Sequence, residues 1–164
     1  MIDIFLHPGE YYIGGSEYRI RTILGSCVSM TFWHPLKKIG AMSHFILPSR
    51  SNKPLKAPLD ARYGNEAIQL LLNGLISLGV SPLQCQAKIF GGGNMFPSKK
   101  HLYMFDIGQR NGEIARSLLQ HYNIPLISEH LFGEGHRQII FNVSNGQVWA
   151  RLVKPIELPD TKKE

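Results

Sequence analysis

The chain has 164 residues, 43% of them hydrophobic and 18% charged, with a formal net charge of +6. That is the size of one domain with enough apolar residues to build its core, which excludes a disordered chain and a coiled coil. No apolar run approaches the ~18 residues of a membrane span, and Met1-Ile2-Asp3-Ile4 lacks the basic start and apolar run of a signal peptide, so a cytoplasmic location and no membrane insertion are expected.

Cys27 and Cys85 are the two cysteines, and neither belongs to a C-x-x-C pair. A disulfide framework and a zinc ribbon are therefore not expected, and at least one thiol is free for chemistry. The basic residues are scattered, adjacent only at Lys37-Lys38, Lys99-Lys100 and Lys162-Lys163, and no nucleic-acid-binding pattern accompanies them. The excess charge reads as a solvated basic surface or a dock for an acidic protein, not as a nucleic-acid interface.

In chain order, Tyr18 to Leu24 and Cys27 to Trp33 are rich in β-branched and aromatic residues and predict strands, separated by the Gly25-Ser26 break. Lys38 to Leu47 predicts a third, ended by Pro48. Ser49 to Ala57 is a run of turn formers and reads as a mobile surface loop. From Asn65 to Leu78 the residues Ala67, Ile68, Leu71, Leu72, Leu75 and Ile76 fall on one helical face, with Gly79 placed to stop the helix. A strand over Gln86 to Phe90 runs into Gly91-Gly92-Gly93. A second helix is predicted over about Gln109 to Tyr122, with Ile114, Ala115, Leu118 and Leu119 buried. Strands follow at Leu126 to Phe132, Gln138 to Val143 and Gln147 to Val153, the last two joined across Asn145-Gly146, and a polar tail begins at Leu158. The sum is a single α/β domain, a layered sandwich of mixed, largely antiparallel sheets with two main helices.

The chemistry concentrates in Leu24-Gly25-Ser26-Cys27-Val28 and Ala41-Met42-Ser43-His44-Phe45. If His34 to Lys37 is a symmetric four-residue loop, Trp33 faces Lys38 and Cys27 lies directly opposite His44, on the same face of the sheet. An imidazole there can take the thiol proton, hold a thiolate as an ion pair and later protonate a leaving amine. The Gly25-Ser26 break would leave N–H groups free near Cys27 for an oxyanion. Against this stand a buried, inert Cys27 and a satisfied strand histidine at 44; a slip in register would undo the pairing. Cys85 reads as core. His7, His34, His101, His121, His130 and His136 show no close metal-ligand spacing. Gly91-Gly92-Gly93-Asn94 lacks the signatures of a nucleotide loop and reads as a tight turn beside the site. Ser26 sits in no nucleophile elbow, and Arg110 and Asn111 begin the second helix, where polar groups cap or face solvent.

Thr22-Ile23-Leu24-Gly25-Ser26-Cys27-Val28, His44-Phe45-Ile46-Leu47-Pro48, Arg62-Tyr63-Gly64-Asn65, Ala87 to Gly93, Ile107 to Asn111 and Gly133 to Arg137 together resemble the CheD family of chemoreceptor glutamine deamidases, over roughly residues 8 to 153. The resemblance implies a fold similar to the catalytic domain of the cytotoxic necrotizing factor toxins. It also implies a cytoplasmic protein-glutamine glutaminase of bacterial chemotaxis that needs no cofactor and converts receptor glutamines to glutamates. Its partners would be the cytoplasmic helices of chemoreceptors and a CheC phosphatase; a non-catalytic module regulating such a phosphatase is the alternative. By position the resemblance makes Cys27 the nucleophile and His44 the base and acid. The family's threonine, six residues before the cysteine, falls on Arg21, with Thr22 at five. Strand alternation then requires a bulge, or a shifted alignment, for Thr22 to serve. The loop from Ser49 to Ala57 is placed to close over the site.

Overall fold

The computed structural model describes residues 1–97 and 102–156, the side chains of 102–106 excepted. The predicted polar tail from Leu158 lies outside them. Two sheets form the body. One runs β1 (Ile2–Phe5), β3 (Tyr18–Leu24), β8 (His136–Asn142) and β9 (Val148–Val153) in that spatial order. The other runs β2 (Tyr11–Gly14), β5 (Ile39–Ser43), β4 (Val28–His34), β6 (Gln86–Gly91) and β7 (Leu126–Leu131). Pairings are antiparallel except β1 with β3 and β6 with β7.

Alternation along the strands sorts the core into two layers. On β4, Val28, Met30 and Phe32 point toward the helices α1 (Gly64–Ser77) and α2 (Leu102–His121), where they meet Ile68, Leu71, Leu75, Ala115 and Leu119. On the opposite face Trp33, with Met42 of β5 and Phe90 of β6, packs against Ile20, Leu24, Ile139 and Phe141 of the four-stranded sheet. Two sheets and one helical layer thus stack as a layered α/β domain. The Trp33 indole N–H donates to the Val143 carbonyl at 2.7 Å and ties the two sheets together. At the tip of the β8–β9 hairpin, Gly146 has φ +76° and lies so close to the Trp33 ring that a Cβ would come within 2.4 Å of it.

α1 ends as its glycine predicts. The Gly79 N–H bonds the Ile76 carbonyl at 2.9 Å, and the Val80 N–H reaches back to the Leu75 carbonyl at 3.0 Å, a left-handed glycine stop. Ile76, expected on the buried face, is instead 59% exposed, because Leu72 and Leu75 complete the stripe without it. Ile114, Ala115, Leu118 and Leu119 of α2 do pack on the core, and Cys85 is buried in it. α2 begins at Leu102, ahead of the predicted start. β1 and β2 were not anticipated: each is four residues long, too short for a period to declare itself.

The β4–β5 register also differs from expectation. His34 pairs with Ile39 and Trp33 with Gly40, a slip of two residues, so Cys27 is not directly opposite His44. The loop is Pro35 to Lys38, not His34 to Lys37. Lys38 adopts φ +50° and donates its N–H to the His34 carbonyl at 2.9 Å. The His34 ring accepts from the Lys37 N–H at 3.1 Å and bonds Gln84, so His34 stays in the strand and the turn starts one residue later.

Candidate active site

A slip of two preserves the face of every side chain. Val28 and Phe45 exchange both backbone hydrogen bonds, at 3.1 and 3.0 Å, and their side chains enter the helix-side core. Cys27 and His44, each one residue earlier, consequently share the face toward the other sheet as diagonal neighbours, a relation that spans roughly 7–8 Å between Cα atoms and leaves side chains within reach. Cys27 is half-buried against the inter-sheet core, and His44 is buried.

Thr22 approaches from the four-stranded sheet. β3 pairs with β8 in unbroken register, and Ile20, Thr22 and Leu24 all point inward while Arg21 and Ile23 point out. No bulge is needed, because the bend at Gly25-Ser26-Cys27, where the chain passes from one sheet to the other, resets the count of alternation. The Thr22 hydroxyl donates to the Leu6 carbonyl at 2.8 Å and lies 2.7 Å from His44 Nδ1. A hydroxyl has one proton to give, so toward His44 it accepts. Nδ1 therefore carries the ring proton and Nε2 keeps its lone pair, the form in which an imidazole acts as a base.

The β1–β2 turn grips the His44 backbone. Its N–H donates to the Glu10 carbonyl at 3.1 Å, and its carbonyl accepts from the Gly9 N–H at 2.8 Å. Beyond His44, Ile46 and Leu47 both donate N–H groups to the Arg62 carbonyl, which explains the Arg62-Tyr63-Gly64-Asn65 motif as a splint along this segment. Burial pushes the His44 imidazole down to about 4; the Leu6 carbonyl and Glu10 pull it up, and His7 adds to the fall. Burial also pushes the Cys27 thiol up, opposed by its own backbone N–H. Both shifts favour the neutral pair at rest, in place of the thiolate–imidazolium pair expected from sequence.

The bend that carries Cys27 is held by all three of its carbonyls. Gly93 donates to Gly25, Gly92 to Cys27, both at 2.9 Å, and the Asn111 amide donates to Ser26 at 3.0 Å. The N–H groups of Ser26 and Cys27 donate to no acceptor among the described residues, leaving them available to an oxyanion. Gly91, at φ +115°, has room for no side chain: a Cβ would stand 2.2 Å from the Cys27 carbonyl oxygen. The triple glycine is thus a close-packed support for the bend that carries Cys27. Asn111, expected to cap or face solvent, is fully buried within α2, and its amide also donates to the Ile46 carbonyl at 2.7 Å. Sequence reasoning missed it because both partners are remote in the chain.

Arg137 is likewise buried, its guanidinium bonded to the Gly91 and Phe132 carbonyls and to His130 Nδ1. It braces the strand end under the glycines. Among the described residues Ser26 shows no partner that would activate its hydroxyl. Among the described residues no group of three His, Cys, Asp or Glu side chains gathers as a metal site would require, and none of their helices is long and apolar enough to cross a membrane.

The chain matches the family model described as CheD chemotactic sensory transduction over residues 46–152, a stretch that begins two residues after His44. Relatives extend the likeness across the site. A probable chemoreceptor glutamine deamidase CheD 2 of Albidiferax ferrireducens is 58% identical over 155 residues, 94% of this chain and 90% of that one. A probable chemoreceptor glutamine deamidase CheD 3 of Dechloromonas aromatica is 46% identical over 90% of this chain and 85% of its own. One from Pseudomonas savastanoi pv. phaseolicola is 42% identical, covering 91% and 84%. With its own family's model matched over most of its length and relatives alike over nearly all of it, the chain belongs to the CheD family.

Proposed function

We propose that this protein is a chemoreceptor glutamine deamidase in which Cys27 is the nucleophile, His44 the proton carrier and Thr22 the residue that fixes the His44 tautomer. The observation that carries the reading is the Thr22–His44 contact of 2.7 Å, which commits Nδ1 to a proton and frees Nε2 on the face shared with Cys27. The relatives named for this activity supply the substrate class. In the first half-reaction His44 Nε2 accepts the thiol proton as sulfur bonds to the glutamine amide carbon, and the Ser26 and Cys27 N–H groups receive the oxyanion. The C–N bond breaks as His44 returns that proton to nitrogen, and ammonia leaves a thioester. Water then attacks the thioester carbon while His44 takes its proton, and the C–S bond breaks to give glutamate and the regenerated thiol. The substrate is placed in the cytoplasm, on the helices of a receptor's signalling region, and a CheC-type phosphatase is a further partner.

The test incubates the purified protein with a glutamine-bearing receptor cytoplasmic fragment and maps Gln-to-Glu conversion by mass spectrometry, with Cys27→Ala and His44→Ala in parallel. Site-specific conversion by wild type and its loss in both variants are expected. A folded wild-type protein that converts no glutamine on several receptors would overturn the proposal and favour the regulatory module, with capture of CheC by the inactive protein as its signature.

A further inference from the structure

The β4–β5 ladder ends at the Thr31–Met42 pair, and one isolated bridge, Val28–Phe45, joins the two arms beyond it. By the observed register the next hydrogen-bonded pair would be Ser26 with Leu47, and it is not made: the Leu47 N–H goes to the Arg62 carbonyl and the Leu47 carbonyl accepts from Gly64, so the strands part beside the thiol. Into this splay α2 sends Asn111. Its Nδ2 donates one proton to the Ser26 carbonyl at 3.0 Å and the other to the Ile46 carbonyl at 2.7 Å. Ser26 adjoins Cys27, and Ile46 is two residues past His44. Two carbonyls turned toward a common point repel each other, and a group with two protons and one centre is what fits between them. The amide cannot be reversed, since Oδ1 would then face both oxygens.

The same side chain carries a cost. Asn111 has no exposed surface, and its Oδ1 is buried without a hydrogen-bond partner among the described residues. An apolar residue would avoid that penalty but leave the Ser26 and Ile46 carbonyls without their donor, so the side chain is held here by its bridge between the two arms. We propose that Asn111 is a positioning residue that sets the width of the splay between the arm bearing Cys27 and the arm bearing His44. Through that width it governs proton exchange between thiol and imidazole and the aim of the Ser26 and Cys27 N–H groups. This rests on the deamidase reading for its consequence in turnover, but not for its consequence at the thiol.

The experiment uses the full chain with Asn111→Ala and Asn111→Leu, the latter close in size but with no proton to give. Three quantities are read: the melting temperature, the rate of Cys27 alkylation by iodoacetamide against pH, followed on the Cys27 peptide so that buried Cys85 does not contribute, and kcat and KM on the receptor fragment. The expected result is an alkylation profile displaced to higher pH, with a rate near neutrality lower by about tenfold, the thiolate fraction lost when a pKa rises by about one unit. A kcat reduced by at least about tenfold with KM little changed should accompany it, the mark of an interaction used in the transition state. A lowered melting temperature with an unmoved alkylation profile and unmoved kcat would reduce Asn111 to a packing residue and overturn the proposal. If wild type itself deamidates nothing, the functional reading fails while the alkylation comparison still decides this one. Should both variants fail to fold, the Asn111 side-chain amide resonances of the wild-type protein are followed by NMR on alkylation of Cys27: a shift is expected, and invariance overturns the inference.

Discussion

Thr22 does two things with one oxygen, donating to Leu6 and accepting from His44. Thr22→Val keeps the shape and removes both, so the imidazole is free to take either tautomer. A fall in kcat of about 10- to 100-fold is expected, with substantial recovery in Thr22→Ser, measured by steady-state deamidation. Arg21, six residues before Cys27, lies on the outer face, and Arg21→Ala should leave kcat unchanged. A pH effect follows from burial. His44 falls from 6.5 to about 4 on folding, so between those values the unfolded chain binds a proton that the folded chain refuses. Stability is therefore present above pH 6.5 and lost as pH falls toward 4, by up to about 3 kcal/mol. His130, lowered by burial and then by Arg137, acts with the same sign. Urea unfolding across this range should show the loss, and His44→Gln should flatten most of it.

At the scale of elements, the segment from Pro48 to Tyr63 is anchored more firmly than its composition suggests. Glu66 of α1 is buried and accepts from Arg50 Nε at 2.9 Å, Arg50 Nη2 at 2.7 Å and the Asp60 N–H at 3.1 Å. Arg50 also donates to the Pro58 carbonyl at 3.0 Å, so the loop is pinned at its base while Leu55 stands fully exposed. Arg50→Ala strands a buried carboxylate, at a cost of up to about 3 kcal/mol, and frees the loop. Trypsin should then cut the Lys56–Ala57 bond faster than in wild type, Lys53 being protected by Pro54; an unchanged rate would show that other contacts hold the loop. The elements that sequence reveals well are those with a sustained period. α1 and the buried stripe of α2 are legible for that reason. The thiol and imidazole were legible as residue types in a strand–break–strand pattern, but their geometry was not, because the conformation of Lys38 and the hydrogen bonds of His34 set the loop and with it the register. Nor does sequence show that adjacent strands β3 and β4 belong to different sheets, or that Asn111 contacts carbonyls 85 and 65 residues away.

Across the whole molecule, the helices cover one face of the sandwich and leave the outer face of the four-stranded sheet open. A row of paired residues, Phe5, Arg21, Ile140 and Trp149, crosses all its strands, and Arg19 and Arg151 lie on the same face. Part of the +6 charge is therefore displayed on one side. Encounter with an acidic partner surface should be accelerated by it: raising salt from about 0.02 to 0.3 M should lower kcat/KM several-fold and leave kcat in place, read by initial rates. The three residues proposed to react meet at the seam between the sheets, with Thr22 on one side and Cys27 and His44 on the other, so the seam itself sets their spacing. Yet the outermost link in that chain of contacts is the Leu6 carbonyl, and His44 is gripped by Gly9 and Glu10 through main-chain atoms alone. No alanine scan can delete them. A truncation that removed β1 together with the turn through Glu10 would disarm the histidine without touching any of the three residues that a mutational survey would name.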